Sequence, residues 1–188
     1  MNNKIYNLLV EKKAIMSGHF VLTSGLHSNK YIEKFRVLED PKSLDCICKE
    51  MANNFKDDNI DIVVGAAIGA ILISSGVAKE LDVYGIFTER VNGKMVLKRG
   101  FSIPEGAKVL VVEDIVTTGG SIREILFLLE SLNVEIMGIS SLAHRGELIN
   151  FSYRYQPLVE ITIESWNPDN IPNWLHDIPI TKPGSTGK

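Results

Sequence analysis

The spacing of apolar side chains changes character along the 188-residue chain, and each change marks a different kind of element. Ile5, Leu8, Leu9, Ile15 and Met16 fall on one helical face, which predicts a first helix ending before Ser17-Gly18. Between residues 19 and 38 that period is lost. Segments 19–22, 30–32 and 35–38 read as short strands, separated by the turn-forming runs Thr23-Ser24-Gly25 and His27-Ser28-Asn29. Asp40-Pro41 marks a helix start, since proline fits the first turn, and Leu44, Ile47, Cys48, Met51 and Phe55 form the apolar stripe of that helix. From residue 60 onward strands and helices alternate. Strands are expected at 60–64, 83–88, 108–113, 135–142 and near 158–163, helices at 69–81 and 120–132, and an exposed excursion at 89–107.

Such alternation predicts an α/β fold, a mostly parallel central sheet flanked by helices, because parallel strands need crossovers and helices fill them. Ligands of these sheets bind beyond the carboxyl ends of the strands. The expected organisation is one globular domain: an N-terminal helix and small appendage over 1–40, a core over 41–165 carrying a flexible hairpin loop at 89–101, and a C-terminal extension over 166–188. The ending Gly184-Ser185-Thr186-Gly187-Lys188 has some likeness to a P-loop but lacks its spacing, preceding strand and following helix, and is read as a disordered tail.

Composition narrows the possibilities. A 45% hydrophobic chain of this length can bury a substantial core. A formal net charge of −3 argues against nucleic-acid or anionic-membrane partners, so any anion site must be local. Cys46 and Cys48, two apart in a helix, point to different faces and are read as ordinary thiols. The longest apolar stretch, residues 62–73, is interrupted by two glycines and falls short of the roughly 20 residues a membrane helix needs. With no apolar signal core at the N-terminus, a soluble cytoplasmic protein is expected. His19, His27, His144 and His176 show no metal-ligand spacing.

The chemistry concentrates in Val109-Leu110-Val111-Val112-Glu113-Asp114-Ile115-Val116-Thr117-Thr118-Gly119-Gly120-Ser121. A buried strand runs into two carboxylates and then a hydroxyl- and glycine-rich turn that opens a helix. Closely spaced N–H groups at a helix N-terminus attract an anion, so residues 117–121 form a candidate phosphate cradle. Glu113 and Asp114 would repel a phosphate; sugar hydroxyls or a divalent cation are their natural partners. Phosphate, diol and metal together describe a phosphorylated ribose.

Three further segments belong to the same picture. Val64-Gly65-Ala66-Ala67-Ile68-Gly69-Ala70 leads from a strand into a helix through small residues, which suits either tight packing or a diphosphate held by backbone N–H groups. Residues 89–101 carry Arg90, Lys94, Lys98 and Arg99 around an Asn92-Gly93 hairpin signal. This is either a solvated hairpin or a mobile cationic arm that closes on a leaving diphosphate. Arg145 ends a core strand, where a guanidinium can pair bidentately with a planar carboxylate.

The 109–121 string resembles the phosphoribosyl-diphosphate (PRPP) binding motif of type I phosphoribosyltransferases. Taken with segments 64–70, 89–101, 143–147 and Phe20 to Tyr31, the chain from about Ile15 to Arg145 resembles the orotate phosphoribosyltransferases. The resemblance implies a type I fold with an N-terminal hood. It implies transfer of ribose 5-phosphate from PRPP to orotate, giving orotidine 5′-monophosphate in pyrimidine biosynthesis. PRPP would be held by Arg90, Lys94, Glu113, Asp114, Ile115, Val116, Thr117, Thr118, Gly119, Gly120 and Ser121, and orotate by Thr117 and Arg145. Lys94, Arg90 and Asp114 would carry the catalysis, with Lys98 and Arg99 as alternatives to Lys94. Mg2+ would be held mainly through PRPP, with a water link to Asp114, in a homodimer whose subunits share active sites. Tyr31 matches an aromatic packed against the base. Many members have lysine where this chain has Thr23 and Gly69, so the 65–70 turn would rely on backbone groups alone. The alternatives are a purine phosphoribosyltransferase and a non-catalytic PRPP-sensing regulator, the latter disfavoured by the acidic balance.

Overall fold

The computed structural model describes residues 3–22 and 24–181, so Thr23 and the 184–188 tail lie outside the described residues. Its centre is a six-stranded sheet in the order β5-β4-β3-β6-β7-β8. The strands are β3 (Ile62–Ala66), β4 (Tyr84–Val91), β5 (Lys94–Leu97), β6 (Lys108–Val116), β7 (Glu135–Arg145) and β8 (Tyr155–Ile161). All neighbours run parallel except β4 and β5. The middle strands read as unbroken apolar runs because both faces are covered. On one face lie α1 (Asn3–Glu11), α3 (Pro41–Asn53) and α4 (Ile71–Leu81), packing Leu9, Ile47, Met51, Ile73 and Val77 with Leu110 and Val112. On the other, α5 (Gly120–Glu130) packs Ile122, Ile125 and Leu129 with Val109 and Val111.

The α/β architecture, the mostly parallel sheet and its flanking helices follow the sequence pattern, and the differences have local causes. The first helix stops at Glu11, and Ile15 and Met16 begin a strand instead, because Lys13 takes a left-handed turn. Segment 35–38, expected as a strand, is the short helix α2 (Phe35–Leu38), which buries Val37 and Leu38. Asp40 caps α3 as its Asp-Pro pair suggests, its carboxylate accepting from Lys42 N and Ser43 Oγ. The excursion at 89–107 begins inside the sheet. Asn92 and Gly93 both have positive φ, the geometry of a tight hairpin turn, and β5 pairs along β4 with Met95 buried.

A second, four-stranded sheet, β10-β1-β2-β9, forms the hood. β1 (Ile15–Val21) and β2 (His27–Ile32) come from the N-terminal segment, while β9 (Ser165–Trp166) and β10 (Ile180–Thr181) come from the C-terminal one. Between the latter lie a 3-10 turn and α6 (Asn173–His176). Ser28 donates to the Glu164 carbonyl, His19 Nδ1 to the Ile178 carbonyl, and His27 Nδ1 to His19 Nε2 at 2.6 Å. The C-terminal extension therefore completes the hood, a role its composition does not signal. Among the described residues no helix is long and apolar enough to cross a membrane.

Candidate active site

Strand order reverses direction at the β3–β6 pair: the chain moves outward from β3 to β4, then returns to the other side of β3 for β6. In sheets of this kind the turns leaving the two strands at such a point flank the ligand-binding edge. β6 ends at Val116, and Thr117 and Thr118 lead to Gly119, whose φ of 73° turns the chain into α5. The first turn of α5 presents N–H groups without helical partners, strengthened by the helix dipole. A cleft of about 260 Å³ opens at this helix mouth, lined by Thr117, Thr118, Gly119, Gly120 and Ser121 together with Glu113, Arg90 and Glu124. Arg123 donates to the Thr118 carbonyl and lies over the Phe151 ring, bracing the turn from behind.

Strand alternation sends the two carboxylates to opposite sides. Glu113 lines the cradle cleft, and burial, then the neighbouring Asp114 charge, pushes its carboxyl up to about 8. Asp114 points towards the 65–70 turn and is itself buried. Its Oδ1 accepts from Ile115 N, and its Oδ2 accepts from Lys34 Nζ, both at 2.5 Å. Lys34 comes from the segment after β2, so the hood reaches the acidic pair directly. Sequence reasoning missed this residue: a lysine after a short strand carries no motif, and the contact spans 80 residues.

Arg145 ends β7 at the same edge and is largely withdrawn from solvent, which pulls its pKa below the usual guanidinium value, while Tyr31 of β2 pushes it up. It makes no hydrogen bond or ion pair among the described residues. The chain around it is fixed. His144 Nε2 meets the Glu147 carbonyl at 2.7 Å, so in neutral His144 the Nδ1 accepts from the Tyr155 hydroxyl, which also meets Ser141 Oγ. Burial raises the Tyr155 phenol to about 12, keeping it a neutral hydrogen-bonding post.

The cationic arm divides by the same alternation. Arg90 shares the α5 face with Met95 and pairs with Glu124 at 2.7 Å, at the rim of the cradle. Arg99 is tied to Glu89. Lys94 opens β5 at the hairpin tip, exposed and outside the lining of the cradle cleft. The structure thus gathers Glu113, Ile115 to Ser121 and Arg90 around one cleft, sets Asp114 beside it, and leaves Lys94 projecting away.

A strand carrying two carboxylates into a glycine- and hydroxyl-rich turn at a topological switch point, under a hood, agrees with the phosphoribosyltransferase class that the sequence resemblance implies. A family model for the phosphoribosyl transferase domain matches residues 37–167. The orotate phosphoribosyltransferase of Desulforamulus reducens is 43% identical over 183 residues, covering 97% of this chain and 96% of that one. The chain belongs to the orotate phosphoribosyltransferase family. Among solved structures, orotate phosphoribosyltransferase from Aeropyrum pernix superposes with a TM-score of 0.68 at 24% identity, covering 84% of this chain and 93% of that one. Adenine phosphoribosyltransferase from Rhodothermus marinus gives 0.67 at 20% identity, covering 85% and 100%. The fold is therefore common to enzymes of different bases, and the base must be argued from sequence likeness and from the site.

Proposed function

We propose that this chain transfers the ribose 5-phosphate group of PRPP to a ring nitrogen of orotate. The bond from the anomeric carbon to diphosphate breaks, a carbon–nitrogen bond forms, and orotidine 5′-monophosphate and diphosphate leave. The observation that carries this reading is Arg145, an unpaired, largely buried guanidinium beside Tyr31, across the edge from a phosphate cradle. A guanidinium without an anion in a desolvated position suits a planar carboxylate, which orotate has and the common purine bases lack.

In this scheme residues 117–121 take the 5-phosphate through the helix mouth, and Glu113 and Asp114 accept the ribose hydroxyls. Thr117 and Arg145 orient orotate. No side-chain nucleophile is required, because departure of diphosphate leaves charge on the ring carbon and positioning with electrostatic stabilisation carries the step. Magnesium fits the donors present. Among the described residues no group of three or more His, Cys, Asp or Glu side chains could cage a metal. Mg2+ usually takes only one or two carboxylates and completes its shell with water and substrate phosphates. Bound with PRPP, Mg2+ would neutralise charge on the departing diphosphate, and Asp114 is the residue that would hold it through a water.

The test is product formation from PRPP and Mg2+ with orotate, uracil, adenine, hypoxanthine and xanthine in parallel. Orotidine 5′-monophosphate from orotate is the expected result. Turnover with a purine alone would sink the orotate assignment, and no turnover with any base would leave a PRPP-binding regulator.

A further inference from the structure

Asp114, Gly69 and Lys34 meet at the carboxyl edge of the sheet. The Lys34 ammonium donates to Asp114 Oδ2 at 2.5 Å, with the Asp114 side chain 6% exposed and that of Lys34 29% exposed. A Cβ built on Gly69 would overlap the Asp114 carboxylate and stand 2.8 Å from Lys34 Nζ. The 65–70 turn, carboxylate and ammonium thus meet at one point, and a side chain at position 69 has no space there. The turn itself contains no charged residue. Its nearest positive charge comes from the hood, on a flexible stem whose outer side remains open to solvent.

The pairing also has a chemical consequence. Ribose hydroxyls approaching Asp114 bring their own donors to its oxygens. The ammonium has three rotatable donors and can then turn towards an acceptor-rich diphosphate lying on the 65–70 turn without leaving its place. We propose that Lys34 is a diphosphate-binding residue of this site, supplying from the hood the positive charge that the 65–70 turn lacks and holding Asp114 until PRPP arrives. The proposal rests on the phosphoribosyl-transfer reading and names a further residue within it.

The experiment titrates wild type, Lys34→Gln and Lys34→Arg with diphosphate, ribose 5-phosphate and PRPP at fixed Mg2+, by calorimetry. Lys34→Gln is expected to weaken diphosphate and PRPP by about tenfold or more, the scale of one lost charge-assisted hydrogen bond. Ribose 5-phosphate should bind within about twofold of wild type, and Lys34→Arg should recover most of the diphosphate affinity. In turnover the KM for PRPP should rise with that for orotate unmoved. Diphosphate affinity unchanged in Lys34→Gln overturns the proposal. So does an equal loss for ribose 5-phosphate, which would make Lys34 only a prop for Asp114. Should Lys34→Gln fail to fold, acetylation of wild-type lysines followed by mass spectrometry decides: diphosphate should slow modification of Lys34 while ribose 5-phosphate does not, and equal rates reject the idea. Wild-type turnover of orotate is scored separately, so failure of the transfer reading and failure of the Lys34 role give different results.

Discussion

Glu113 and Asp114 are adjacent in the sequence and chemically alike, yet the strand gives them different surroundings. Asp114 has an ammonium and a backbone N–H; Glu113 has burial and a like charge next to it, with Asp114 N as its donor. Glu113 therefore holds its proton further up the pH scale when folded than when unfolded. A carboxyl whose pKa is raised by folding contributes stability that is complete below the unfolded value and lost as pH rises through the folded one. The stability of wild type should fall relative to Glu113→Gln between about pH 4.5 and about pH 8. Denaturant melts of both proteins across that range check it; parallel curves would mean that Glu113 is not protonated in the folded protein. The pair was legible as chemistry because strand-end carboxylates before a glycine turn are a recognisable motif. Their unequal environments were not, since Lys34 arrives from a separate sheet.

At the scale of elements, the cradle depends on how β6 is joined to α5. Gly119 sits at φ 73°, and a Cβ there would stand 2.8 Å from the Phe151 ring. Gly119→Ala meets both backbone strain and a clash, and should cost roughly 1–3 kcal/mol of stability and weaken ribose 5-phosphate binding. Thermal melts and phosphate-ester titrations of the variant check both; wild-type values in each would show that the turn tolerates other shapes. This element was readable because its turn chemistry is local: glycines and hydroxyls between a buried strand and a helical pattern mark the turn that opens the helix. The 35–38 segment was misread for the complementary reason. Phe35, Val37 and Leu38 are too few to set a period, and burial of Val37 and Leu38 against α3 chose the helix.

At the scale of the whole molecule, the arm and the hood extend the site beyond one strand edge. Lys94 opens β5 at the β4–β5 tip, exposed and outside the lining of the cleft, and we propose that it serves the site of a second copy. Mixing Lys94→Ala with Asp114→Asn tests this, since each variant alone is expected to be nearly inactive. If Lys94 acts across a dimer, mixed dimers contain one complete site and activity returns on subunit exchange; if it acts within its own subunit, the mixture stays inactive. Loss of an electrostatic contact to the leaving group should cost about 10²–10³ in kcat for Lys94→Ala. The hood has a comparable long-range origin, because its two outer strands come from residues 165–166 and 180–181.

By itself, the sequence determined the α/β order, the glycine- and hydroxyl-rich turn that opens α5, the acidic pair and the arginine at the end of β7. Each rests on period or turn chemistry that acts over a few neighbouring residues. Only the tertiary structure decided that Lys34 meets Asp114 against Gly69, that Arg90 and Lys94 part company, and that the C-terminal segment finishes the hood. Those contacts join residues far apart in the chain, and their geometry is set by strand alternation and by the packing of one sheet over the edge of another.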